Sequence, residues 1–182
     1  MKLISLKSKL KSTANLLKAL SDVDLEFSEV YYQHDRVFLP RGYEEGSGLP
    51  RMVIRTYVPD GKDADYRLIV KRHSGGKGSD VVHSTLVADY TETVHILHQL
   101  GFSYAGEVAK HRQELDMEQG ITLYLDKVEG LGTYLKLESR VAKNESVEDV
   151  QSDLSQILQV LGIKEEDIFA ESYRGLLSKK HK

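Results

Sequence analysis

The sequence predicts an α+β protein whose strands make a mostly antiparallel sheet of about eight members, enough to close a barrel around one small ligand. Three observations lead there. Alternating or β-branched stretches recur along the chain, the connections between them are mostly short, and a few segments with helical spacing interrupt them.

Residues 2–10 alternate, with Leu3, Ser5, Lys7 and Lys9 on one side and Ile4, Leu6, Ser8 and Leu10 on the other, which predicts a first strand. Ser12 opens a helix through Leu16, Leu17 and Leu20 that ends near Ser21. Residues 23–34, rich in Val, Phe and Tyr, predict a second strand, and the Pro- and Gly-punctuated segment 35–50 a long loop. Strands follow at 51–58 and 65–72, joined by a Pro59-Asp60-Gly61 turn. After Gly75-Gly76-Lys77-Gly78 comes a strand at 80–90, then a helix from Thr91 through Val94, Leu97 and Leu100 that stops at Gly101. Strands at 103–115, 120–128 and 132–140 complete the set. Ser146, with Asp149 three residues on, caps a helix carrying Val147, Val150, Leu154, Ile157, Leu158 and Leu161 up to Gly162. The tail reads as helical over 165–179 through Ile168, Phe169, Tyr173, Leu176 and Leu177.

At 182 residues the chain is expected to be one domain over 1–182, with a C-terminal helical tail at about 164–180. A net charge of −3 argues against a general nucleic-acid binder, which would be basic as a whole. The absence of cysteine excludes disulfides, thiolate zinc sites and cysteine nucleophiles. No signal peptide or run of about 20 apolar residues stands out, so a cytoplasmic protein with no membrane partner is expected.

The strand faces carry the functional signal. Lys7 and Lys9, Arg51 and Arg55, Arg67 and Lys71, Lys110 and Arg112, and Lys136 and Arg140 recur at spacings of two or four. Residues two apart in a strand share a face, so each pair projects to one side. A solvated antiparallel face would explain one such strand. Five of them, against few acids such as Glu114, Asp126 and Glu138, predict a basic interior that wants a polyanion. In 133–140 the alternation predicts that Leu135 and Leu137 pack on helices while Tyr134, Lys136, Glu138 and Arg140 face a cavity.

Other features have plainer readings. Gly75-Gly76-Lys77-Gly78 lacks the spacing of a nucleotide-binding phosphate loop and reads as a hairpin. His95 and His98 sit one turn apart on a solvated helix face, with no third ligand placed. Tyr31 and Tyr32 suit either a binding-site aromatic motif or core packing, and His34, Asp35 and Arg36 border the long loop, where they could touch a substrate or simply lie on the loop surface.

The succession Lys7, Arg55, Lys71, Lys110-x-Arg112, Asp126 and Gly130-Leu131-Gly132-x-Tyr134-x-x-x-Glu138 resembles the CYTH family, the triphosphate tunnel metalloenzymes. The family includes class IV adenylyl cyclases, thiamine triphosphatases and inorganic triphosphatases. The resemblance spans nearly the whole chain and is strongest over Leu125–Tyr134, while Glu171–Leu177 is similar to the terminal helix of the class IV branch. It implies an eight-stranded antiparallel tunnel flanked by helices, in which cations grip a triphosphate and carboxylates hold Mg²⁺ or Mn²⁺. By matched position Lys7, Arg55, Lys71, Lys110 and Arg112 would grip phosphate, with Lys9, Arg51, Arg67, Lys136 and Arg140 as additional cations. Asp126 and Glu138 would be the metal-side acids. A homodimer occurs in the class IV branch, though no feature here requires one.

The departures fall on the acids. The family opens with Glu-x-Glu-x-Lys, where this chain has Leu3-Ile4-Ser5-Leu6-Lys7. Val53 replaces an arginine, with Arg51 on the same face. His83-Ser84-Thr85 stands for Arg-x-Glu, and Lys136-Leu137-Glu138 for Glu-x-Glu. Magnesium commonly needs only one or two protein carboxylates, but Lys136 places a cation beside the ion. Repulsion between unit charges at about 4 Å is roughly 1–4 kcal/mol, doubled by a divalent metal. Two functions follow: an enzyme that cyclises ATP or hydrolyses a triphosphate with Mg²⁺ or Mn²⁺, or a triphosphate-binding module that has lost its metals. The catalytic residue is unassigned. A carrier of apolar ligands is disfavoured by the charged faces.

Overall fold

In a computed structural model, residues 1–58, 64–76, 78–117 and 120–180 are described. The Pro59-Asp60-Gly61 turn and Lys77 of the glycine loop lie outside them. The elements run β1 (Lys2–Lys9), α1 (Ala14–Ser21), β2 (Tyr31–Pro40), β3 (Arg51–Val58), β4 (Asp65–His73), β5 (Ser79–Val87), α2 (Tyr90–Gln99), β6 (Phe102–Asp116), β7 (Ile121–Val128), β8 (Gly132–Arg140), α3 (Val147–Val160) and α4 (Tyr173–Lys180). A 3-10 turn at Glu165–Asp167 separates the last two helices.

The eight strands close into an antiparallel barrel in the order β1-β5-β4-β3-β2-β6-β7-β8. Directly opposed residues of antiparallel strands share a face. The pairings Lys7↔Lys136, Ser5↔Glu138, Arg112↔Asp126, Asp35↔Arg55 and Arg51↔Lys71 therefore put one charged set inside. The other face of the same strands is apolar. Ile4, Leu6, Leu123, Leu135 and Leu137 pack on Leu16 and Leu20 of α1 and on Val147, Val150, Leu154 and Leu158 of α3. On the opposite side Phe38 and Ile54 are covered by Leu97 of α2. The main apolar core thus lies between barrel and helices. A thinner band of Val37, Val53 and Ile69 sits inside.

The predicted cap of α3 is present, the Ser146 hydroxyl accepting from the Asp149 amide at 3.0 Å; α2 is capped by Asp89, which accepts from the Glu92 amide at 2.9 Å and was expected in the preceding strand. Three elements differ from expectation. β2 begins at Tyr31 rather than 23 and runs through Pro40, so His34, Asp35 and Arg36 are mid-strand rather than at a loop edge. Charged residues there resemble a loop, but Asp35 is paired inside the barrel and Arg36 lies outside over the Tyr90 ring. β5 ends at Val87, because Asp89 is spent on capping α2.

The tail differs most. Instead of a helix over 165–179, residues 168–172 belong to no helix and carry a single β-bridge at Phe169, and only Tyr173–Lys180 is α-helical. β1 pairs with β5 only over Lys2–Ile4. Beyond that point Lys7 exchanges both backbone hydrogen bonds with Phe169, at 2.8 and 2.9 Å, so the tail fills the seam that β5 leaves open. Gly78 makes this close approach possible. Its φ is +75°, and a Cβ there would lie 2.6 Å from the Ser5 carbonyl oxygen and 2.9 Å from Ala170.

Candidate functional site: a basic cavity inside the barrel

The barrel encloses a cavity of about 700 Å³. β1 contributes Leu3, Ser5 and Lys7, β3 Arg51 and Arg55, β4 Lys71, β6 Lys110 and β8 Lys136. Carboxylates enter from Asp35 of β2, Asp80 of β5 and Glu138 of β8. The mouth is shared by Glu45 of the β2–β3 connection and by Glu171, Ser172 and Arg174 of the tail. Arg174 pairs with Glu45 at 3.2 Å, and Lys179 with Glu171 at 2.8 Å.

Most of these charges are matched within the barrel. Asp35 accepts two bonds from Arg55, at 2.6 and 2.7 Å, and a third from Gln33 at 3.1 Å. Arg51 donates to Asp80, and Lys136 to Glu138 at 2.5 Å. Beyond the cavity lining, Asp126 accepts two bonds from Arg112, at 2.6 and 2.7 Å, and one from the Tyr173 hydroxyl at 2.8 Å. Lys110 Nζ stands 3.6 Å from the same carboxylate. Arg112 also lies over the Tyr124 ring, 4.0 Å from its centroid.

Two cations are different. Among the described residues, Lys71 makes no hydrogen bond or ion pair through its side chain, and Lys7 has no carboxylate partner, reaching the Ala170 carbonyl at 3.4 Å and lying 5.6 Å from the Tyr173 ring centroid. Burial pushes the Lys7 amine down to about 7, helped by the nearby charges of Lys136 and Lys71. Lys71 is pushed down to about 8, by burial first and then by Arg55 and Lys136. Burial also holds Lys110 well below the usual lysine range, with Arg112 adding to it and Asp126 opposing. The carboxylates shift the other way. Burial disfavours their charge, yet Arg55 holds Asp35, and Lys110 with Arg112 holds Asp126, well below the usual range. Against the same burial, Lys136 and Lys71 bring Glu138 down to about 2. These three carboxylates are fully ionised and weak as bases.

The structure brings Lys7, Arg55, Lys71 and Lys110 together at the cavity, along with Arg51 and Lys136. It leaves Arg112 behind them in its pair with Asp126. Lys9 and Arg140 are exposed at strand ends, and Arg67 lies toward Tyr57, with its guanidinium 6.0 Å from that ring. Of the metal-side acids, Glu138 lines the cavity, whereas Asp126, on the same inward face, is buried behind the lining. Leu3, Ser5 and Lys136 occupy the wall where the resemblance placed acids, but Thr85 does not. It pairs with Leu68, whose side chain packs under α2, so it points outward. His95 is exposed beside Glu92, and His98 meets the Phe38 ring. Tyr31 donates to Glu114 at 3.1 Å, and Tyr32 packs on His111.

Asp80 and Tyr173 are the contributors that sequence reasoning missed, and Asp35 was expected at a loop edge instead of in the barrel wall. Asp35 was hidden by the misplaced second strand, although Gln33-x-Asp35-x-Val37 has the period of two that marks a face. Asp80 meets Arg51 from β5, two strands away in the barrel, and nothing local announces that. Tyr173 depends on the course of the tail.

The family model of the CYTH domain matches residues 2–173. The chain belongs to the CYTH family. CYTH proteins bind triphosphate substrates and are typically metal-dependent. A candidate adenylate cyclase of Methanocaldococcus jannaschii is 31% identical over 93 residues, covering 50% of this chain and 53% of that protein. This CYTH chain thus spans about half the length of the curated relative it matches. Among solved structures, a Pyrococcus horikoshii protein superposes with a TM-score of 0.83 at 23% identity, over 98% of this chain and 99% of that one. A Hippeastrum candidate adenylyl cyclase, described as having a dominant triphosphatase activity, superposes with a TM-score of 0.63 at 18% identity, over 98% and 95%. At these identities the two superpositions speak for the tunnel fold.

The donor set does not suit a divalent metal. Among the described residues no three His, Asp or Glu side chains converge on one point. Asp35, Asp80 and Glu138 in the wall, and Asp126 behind it, each already bind a cation. Leu3 and Ser5 offer no carboxylate. No helix among the described residues is long and apolar enough to cross a membrane.

Proposed function

We propose that this CYTH protein binds a triphosphate-bearing small molecule inside its barrel, with Lys7, Lys71 and Lys110 as the main phosphate grips. Arg55, Arg51 and Lys136 support them, and Arg112 acts from behind by holding Asp126. The observation that carries this reading is the pair of cavity amines, Lys7 and Lys71, without a carboxylate partner. A buried charge left unpaired costs several kcal/mol. A polyanion supplies the missing countercharge through charge-assisted hydrogen bonds. The cavity is also large enough for a triphosphate and an attached organic group, within the range of roughly 300–1,000 Å³ common for ligand sites.

The second reading is catalytic, favoured by the names of the Methanocaldococcus and Hippeastrum proteins. In an adenylyl cyclase-like reaction the ribose 3′-oxygen attacks the α-phosphate; in a triphosphatase-like reaction water attacks the terminal one. Either would use the cations to stabilise charge on the phosphoryl oxygens. Both need a proton acceptor; Asp35, Asp126 and Glu138 are held too acidic to serve well near neutral pH, which leaves the lowered amines of Lys7 and Lys71, the same groups that would grip phosphate. Binding is the better supported function.

Calorimetric titration of the purified chain with tripolyphosphate, pyrophosphate and orthophosphate tests it. Affinity should fall in that order as fewer cations are engaged. No heat with tripolyphosphate, or equal affinity for all three, would refute the assignment. Release of phosphate or cyclic nucleotide in the same samples would establish the catalytic reading.

A further inference from the structure

We infer that Lys136 serves as a built-in cation in place of a divalent metal, so that the barrel takes its polyanion free of magnesium or manganese. The inference rests on the triphosphate reading above and deepens it. Lys136 lies on the cavity wall, paired in register with Lys7 on one side and Tyr124 on the other. Its ammonium is 2.5 Å from Glu138 Oε2 and 4.9 Å from the Tyr124 ring centroid, and its side chain is only 12% exposed. The ammonium is thus held between Glu138 and the Tyr124 ring and already occupies the space in front of the carboxylate that a metal would need.

No other carboxylate compensates: at the mouth Glu45 pairs with Arg174 and Glu171 with Lys179. Asp35 is held by both edges of Arg55, and Asp80 by Arg51. Asp126 is saturated by Arg112 and Tyr173, outside the cavity lining. The β1 positions facing Glu138 and Arg140 are Ser5 and Leu3, which carry no charge. A divalent ion would enter a wall whose six cations already outnumber its three carboxylates, and would be repelled by Lys136 twice as strongly as a monovalent ion. A phosphate oxygen faces the opposite balance. It can bind Lys136 directly, because a lysine ammonium has three donors and Glu138 uses only one.

The test is calorimetry of the whole chain with tripolyphosphate, in EDTA and in magnesium. The inference expects binding in EDTA that magnesium leaves unchanged, weakens, or strengthens by less than about tenfold, a factor worth 1.4 kcal/mol. Strengthening by about tenfold or more, or binding confined to magnesium, overturns the inference and leaves the triphosphate reading standing. Absence of binding in both buffers removes the triphosphate reading and the inference with it. Lys136→Gln should weaken binding in EDTA by about tenfold, the loss of one charged contact. Lys136→Glu, which sets a second carboxylate beside Glu138, should weaken it further and make magnesium restore it. If both variants bind in EDTA as wild type does, Lys136 is not the tethered cation.

Discussion

Replacing Asp126 by Asn tests whether the ion cluster behind the cavity is a structural element. Asp126 is fully buried, and all its observed partners are donors: Arg112 at two points, Tyr173 at one, and Lys110 at 3.6 Å. An amide keeps the shape but loses the charge and turns one acceptor into a donor. Arg112 and Lys110, 4% and 3% exposed, would then be buried cations with no countercharge. Breaking one partner of a buried pair costs roughly 3–5 kcal/mol. For a chain of this size about 1 kcal/mol moves Tm by roughly 2–4 °C, so a fall of roughly 6–20 °C is expected. Scanning calorimetry in EDTA would read it. Tyr173→Phe is the graded control, since it removes one hydrogen bond to a charged group, roughly 1.5–3 kcal/mol. The reasoning is refuted if Asp126→Asn unfolds within about 1 kcal/mol of wild type. An acid positioned mainly for a metal would behave that way in EDTA.

Lys71→Met should leave stability unchanged or raise it modestly, because a half-buried unpaired charge is exchanged for a hydrophobe; tripolyphosphate affinity should drop at least tenfold, and a stability loss in urea would contradict this. The lowered amines of Lys7 and Lys71 also set a pH dependence. Between about 7 and the ordinary lysine range the unfolded chain holds more protons than the folded one, so stability of the free protein should rise with pH across that window. Anion binding favours the charged amines, so near pH 8 it should take up protons and weaken as pH rises. Titrations in buffers of different ionisation enthalpy measure that uptake, and equal heats would contradict it. Gly78→Ala, strained at φ +75° and meeting the Ser5 carbonyl, should cost roughly 1–3 kcal/mol by chemical denaturation.

The strands and their facing were legible because alternation is a local signal. Lys7, Arg55, Lys71 and Lys110 point inward as the spacing of two requires, and Leu135 and Leu137 point outward to the helices. Register was harder. Thr85 was read as a wall residue, but the pairing Leu68↔Thr85 turns it outward, the inversion that a one-residue slip produces. The partners of the cations were not legible at all. Asp35 lay in a segment whose charges mimic a loop, and Asp80 and Tyr173 arrive from strand order and from the tail. An excess of lysine and arginine on strand faces can therefore be seen in sequence, but which of them are free to meet a ligand depends on non-local ion pairing. Here that pairing singles out Lys7 and Lys71.

The most direct test of the account is calorimetric titration of tripolyphosphate into wild type and a Lys7→Met, Lys71→Met double variant. The account predicts binding by wild type and a loss of at least tenfold by a double variant that remains folded. Undiminished binding by the folded double variant would contradict it.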